Sequence, residues 1–187
     1  MMLQTKEIKI FFKIWLELLA FVNDRYDLIK NFGHPKTAVG LNLENVGKIK
    51  TKLWEDVGII DEYIDSAWDL PREEIHILKG WKNKIKGDFF IVRHLKKYSV
   101  FMNDGEDRLY GVLGISCPIS DMISSNVLPV MVKAVLLPFK NQIIYDGLLS
   151  IYNIQIGPNI RKNMGKTYTE IKGKKGIINN LIASSQL

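Results

Sequence analysis

Cysteine occurs once in these 187 residues, at Cys117, so the chain forms no internal disulfide and no cysteine-rich structural zinc site. A single thiol fits a reducing compartment. The sequence also lacks low-complexity segments, internal repeats, a Pro/Ser-rich linker and any block of six like charges, which excludes wholesale disorder. Arginine is scarce: five of the 26 cationic residues are arginine and the rest lysine. The longest apolar stretch, IKIFFKIWLELLAFV at 8–22, is cut by Lys9, Lys13 and Glu17 at four-residue spacing. On a helix these charges form one stripe, so the segment reads as a core helix with a narrow polar edge. It is neither a membrane span, which needs about twenty mostly uncharged residues, nor a signal peptide.

What is present is enough for a sizeable core: 47% of the residues are hydrophobic. The net charge of +6 is segregated along the chain. Residues 61–78 are acidic (Asp61, Glu62, Asp65, Asp69, Glu73 and Glu74 against Arg72), and 79–102 are basic. The C-terminal part is basic again, with Arg161, Lys162, Lys166, Lys172, Lys174 and Lys175 against Glu170. Such asymmetry points to an anionic partner. Surplus lysine in a chain crowded with Ile and Asn is also what genome composition alone produces.

Apolar spacing predicts helices over about 6–28 and 43–56, a short third one carrying Ile60, Tyr63, Ile64, Ala67 and Trp68, and a fourth that starts after Asp69 and Pro71 and ends near Gly87. Residues 31–40 read as a loop. From Gly87 the period becomes extended, with strands expected at 89–95, 98–102, 109–115, 130–137, 143–145 and 148–156, and a short helix after Pro118. Asp146-Gly147 reads as a tight turn between the last two strands. A helix is expected from Pro158, broken at Gly173 and Gly176, with one more turn or two over Ile177, Ile178, Leu181 and Ile182. Helices first, strands next and helices last argue for an α+β fold. In it a helical region, 1–87, packs on a five- to six-stranded, mainly antiparallel sheet or partly closed barrel in 88–187, the two sharing one core. All four tryptophans, Trp15, Trp54, Trp68 and Trp81, read as core.

No complete catalytic constellation stands out. Glu73 and His76 are half of a di-metal carboxylate motif, and neither His34 nor His94 supplies the other half. Gly165-Lys166-Thr167 lacks the upstream glycine of a phosphate loop, the position being Ile160. No cofactor is implied. The stretches 136–149, LLPFKNQIIYDGLL, and 88–102, DFFIVRHLKKYSVFM, resemble an uncharacterised bacterial protein family, some members of which carry a cysteine-rich zinc tail. This chain ends in NNLIASSQL, so no zinc role carries over. The resemblance implies a bacterial cytoplasmic origin and no activity.

The reading that follows is a non-enzymatic cytoplasmic binding protein without a membrane partner. In its sharpest version it holds nucleic acid through Arg161, Lys162, Lys166, Lys172, Lys174 and Lys175. The rival is an enzyme whose site assembles from His94, Cys117, Tyr145 and Asp146. The third is a protein-binding module or homodimer using the exposed edge of the sheet.

Overall fold

The helical period of the first eighty residues becomes four helices in the computed structural model, which describes residues 1–105 and 107–181. The chain divides into two compact units, one formed by Gln4–Lys82 and the other by Met1–Leu3 with Asn83–Leu187.

The helical unit holds α1 (Thr5–Tyr26), α2 (Leu43–Glu55), α3 (Ile59–Ser66) and α4 (Arg72–Trp81). Asn42 caps α2, its Oδ1 accepting from the amides of Glu44 and Asn45 at 2.9 and 3.0 Å. The expected apolar face of α2 (Val46, Ile49, Leu53 and Trp54) is the one buried. An aromatic cluster forms the centre. The Trp15 ring stacks on Trp54 at 5.8 Å and on Phe11 at 6.0 Å, and Trp81 meets both Phe11 and Trp15 at 5.9 Å. The charged stripe of α1 is put to use as a joint. Lys13 Nζ bonds the buried carboxylate of Glu74 on α4 at 2.8 Å, and Glu17 accepts from the Tyr63 hydroxyl of α3 at 3.0 Å.

Two expectations fail here. Trp68 is not core but fully solvent-exposed, because α3 ends at Ser66 and the next residues form a loop. The fourth helix has Pro71, not Asp69, at its N-cap and stops at Trp81. Ile85 and Gly87 are already in a strand, paired with Leu136 and Ala134, so long-range pairing overrides the local helical period.

The second unit carries β1 (Ile85–His94), β2 (Ser99–Asn103), β3 (Leu109–Leu113), a single turn α5 (Ile119–Met122), a 3-10 turn (Ser125–Val127), β4 (Val130–Phe139), β5 (Gln142–Tyr145), β6 (Ser150–Ile151) and α6 (Pro158–Lys175). The strands follow the order β1-β2-β3-β5-β4, and β4 returns to pair with β1, closing a five-stranded barrel. The pairing of β3 with β5 is parallel and the others between strands are antiparallel. Phe89 meets Phe101 and Tyr110 at 6.1 and 6.0 Å on the inner face. The alternate residues Val100, Met102 and Leu109 face outward, where Met164, Tyr168 and Ile171 of α6 cover them. Residues 1–3 belong to this unit: Met2 bridges Gly114, and the Leu3 amide donates to the Gly114 carbonyl at 3.0 Å.

Three further expectations are corrected. Asp146-Gly147 is not a hairpin turn. Strands β5 and β6 run along the same edge of β4, and residues 146–149 bulge out opposite Ala134 and Val135. The last strand is accordingly two residues long instead of nine. Helix α6 runs through Gly173 and ends at Gly176, whose φ of 75° stops it. Beyond it Ile178 forms a bridge with Tyr110, bonding Leu109 and Gly111 of β3, where another helical turn was expected. Strand pairing wins there because Gly111 has no side chain: a Cβ would strike Asn179 and the Tyr98 ring. Ile182 lies outside the described residues. No described helix is long and apolar enough to cross a membrane.

Candidate functional site

The end of β1 and the first half of α6 border a cleft of about 350 Å³. Its walls are Val92–Leu95, the segment around Ser125, Leu128 and Pro129, and the α6 side chains Arg161, Met164 and Tyr168. Arg93 reaches this cleft because of a β-bulge. Ile91 pairs with Phe101 while Arg93 pairs with Val100, so Val92 is an extra residue. Strict alternation would aim Arg93 inward with Ile91; the bulge turns it to the outer side, shared with Val100 and α6. There its guanidinium lies over the Tyr168 ring, 4.9 Å from the centroid. Arg161, one turn into α6, supplies a second guanidinium. No carboxylate lines the cleft, and among the described residues neither arginine makes an ion pair.

His94 forms part of the wall and is anchored at both nitrogens. Its Nε2 lies 2.8 Å from the Ile123 carbonyl and its Nδ1 lies 2.7 Å from Ser99 Oγ. Burial pushes the imidazole below its ordinary value. The ring is therefore neutral near pH 7. Since a carbonyl only accepts, Nε2 donates to Ile123 and Nδ1 accepts from the serine hydroxyl.

The six basic residues of the C-terminal part do not form one surface. Arg161 lines the cleft; Lys162, Lys166 and Lys174 are exposed elsewhere on α6. Lys172 Nζ approaches the Tyr168 ring at 5.8 Å, and Lys175 Nζ donates to the Asp107 carbonyl at 3.0 Å. The last three sit in the final turn, where cations complement the helix dipole. Arg93, the residue that turns one basic helix into a two-sided site, stands in the sequence only as one charge of a basic stretch. A bulge leaves no local signature that would single it out.

The proposed enzymatic quartet is only partly assembled. Tyr145 is a neighbour of Cys117 and Asp146, and burial first, then those two groups, pushes its phenol up to about 12. Asp146 is fully buried, its Oδ1 accepting from the Leu148 amide at 3.3 Å. His94 contacts Ile123, whereas the Tyr145 hydroxyl points at Met122 Sδ, 3.9 Å away. No hydrogen bond joins His94 to Cys117 or Tyr145 among the described residues. A second concavity is lined by Asp88, Asp104 and Asp107 together with Lys86 and Arg108, so its charge is mixed. No group of three or more metal-ligating side chains converges on a metal site among the described residues.

No family model, curated protein or solved structure matches this chain.

Proposed function

We propose that the barrel unit is a non-enzymatic binding module for nucleic acid, held through its phosphates at the cleft between β1 and α6. The observation that carries this reading is the cleft's composition: two guanidiniums, a neutral imidazole and no carboxylate. Guanidinium is the cation best shaped for phosphate. Lys96 and Lys97, exposed in the β1–β2 turn directly after the cleft residues His94 and Leu95, add positive charge next to it. The five-stranded barrel adds a fold-level analogy, since oligonucleotide-binding barrels also have five strands. Those barrels use the outer face of strands two and three. Here α6 covers that face, which moves the contact to its rim. Tyr168 lies under Arg93 and is buried, so grip comes from phosphate contacts and not from base stacking, and sequence preference is weak.

The test is a titration of labelled single-stranded and duplex oligonucleotides at several salt concentrations. About three neutralised phosphates give a log–log salt slope of roughly −2 to −3. Arg93→Glu with Arg161→Glu should weaken binding at least tenfold, while Lys174→Ala leaves it within about twofold. Absence of binding at low salt defeats the proposal, and so does strong dependence on base sequence.

One observation favours a second reading. The Ser99 hydroxyl and His94 ring, 2.7 Å apart, have the contact of a nucleophile with its base. Ser99 is only 5% exposed and does not line the cleft, which is why this reading stands second. Covalent capture of Ser99 by a fluorophosphonate would reverse the order.

A further inference from the structure

Residues 67–71 join α3 to α4 and carry Trp68 wholly in solvent, at 103% relative exposure. The loop is pinned at both ends. The Ala67 amide donates to the Tyr63 carbonyl at 3.2 Å, and the Ile75 amide donates to the Pro71 carbonyl at 3.0 Å. Behind these anchors, Tyr63 is bonded to Glu17 and Glu74 to Lys13. The indole is thus presented on a rigid base instead of a fraying end. Exposed Asp65 and Asp69 flank it.

A large exposed aromatic ring with two exposed carboxylates within three residues of it in the chain complements an apolar pocket with cations at its mouth. Tryptophan is among the residues enriched as interface anchors, and nearby charges set orientation and approach rate. The cleft between β1 and α6 has that chemistry. Val92, Leu95, Leu128, Pro129 and Met164 supply apolar wall, Arg93 and Arg161 supply the cations, and 350 Å³ admits an indole.

We infer that Trp68 of one copy docks into the β1–α6 cleft of a second copy, with Asp65 and Asp69 meeting Arg93 and Arg161. The inference uses the cleft of the proposed function but does not depend on nucleic acid being its ligand. The two surfaces are different patches, so the contact is heterologous and builds chains or rings. A polyanion and the Trp68 loop also compete for the same two guanidiniums. Self-association and phosphate binding are therefore mutually exclusive at each cleft.

The experiment is sedimentation velocity of the full chain over a wide concentration range at low and high salt, with tryptophan emission recorded in parallel. Wild type should gain mass with concentration, less so at high salt. Its emission should move to the blue, because Trp15, Trp54 and Trp81 are already buried. Trp68→Ala and, separately, Arg93→Glu with Arg161→Glu should each stay monomeric, weakening association by roughly tenfold or more. Mixing the two variants should restore one contact and give a heterodimer, since one retains the cleft and the other the indole. That complementation also shows that both are folded. A wild type that stays monomeric at low salt overturns the inference, as does unchanged association of Trp68→Ala or a mixture that fails to pair. Trp68→Ala leaves the cleft intact and should bind oligonucleotide at least as well as wild type. Oligonucleotide binding without complementation sinks this inference alone, and complementation without oligonucleotide binding sinks the proposed function alone.

Discussion

At the scale of single residues, Trp81 and His94 hold polar atoms inside apolar surroundings in different ways. The indole Nε1 of Trp81 is buried with no acceptor among the described residues, and its ring meets that of Trp15 at an angle of 76°. Its N–H contributes nothing that a phenyl ring would lose, whereas its area contributes a great deal. Trp81→Phe should therefore cost about 1 kcal/mol or less, and Trp81→Ala about 3–5 kcal/mol, by urea denaturation. A Trp81→Phe loss well above that, by about the worth of a hydrogen bond (roughly 1 kcal/mol), would show that the N–H is satisfied. His94 is held below its ordinary value of 6.5 mainly by burial, with the N-terminal ammonium adding to the shift and the bond to Ile123 opposing it. Above 6.5 the ring is neutral in both the folded and the unfolded chain. As pH falls below that value the unfolded chain takes up a proton that the folded one resists, so stability declines towards the lower folded pKa. Wild type should lose stability between pH 7.5 and pH 5, and His94→Gln should lose less over the same interval. Identical pH profiles would remove His94 from the account.

Among the elements, α6 differs most from what its residues suggest. Gly173 looks like a breaker, yet it sits inside the helix with open space where a Cβ would go. Gly173→Ala should raise stability by about 0.5–1 kcal/mol, read as a higher Tm, because it removes freedom from the unfolded chain without strain. No change would mean that the final turn is frayed in solution. Period and composition made α1, α2 and the strand-rich second half legible, because each has a long apolar face that repeats at a fixed interval. The features that build the cleft were not. Arg93 is placed in the cleft by one extra residue in β1, and, away from the cleft, β6 is cut short by a bulge at 146–149. Both depend on how a strand registers against a partner more than ten residues distant or across a turn, which no local window contains. Trp68 escaped for the opposite reason. Its spacing continues the apolar face of α3, but the helix has already ended.

The whole molecule is put together out of chain order. Residues 1–3 belong to the barrel unit, the next 79 form the helical unit, and the chain comes back to the barrel at Asn83. Leu3, 1% exposed, is the deepest of the three, while its neighbour Met2 is 41% exposed. Leu3→Ala should cost about 2–4 kcal/mol and Met2→Ala less than about 1 kcal/mol, measured by thermal or urea unfolding. Comparable small effects would mean that the terminal bridge to Gly114 contributes little. The same bridge has a consequence during synthesis. Leu3 leaves the ribosome more than a hundred residues before Gly114, a delay on the order of ten seconds at ordinary elongation rates. The first stretch of the barrel is thus the earliest made and among the last to find its partner. In the interval the nascent chain has time to fold its helices, and it must keep Leu3 from being captured by them.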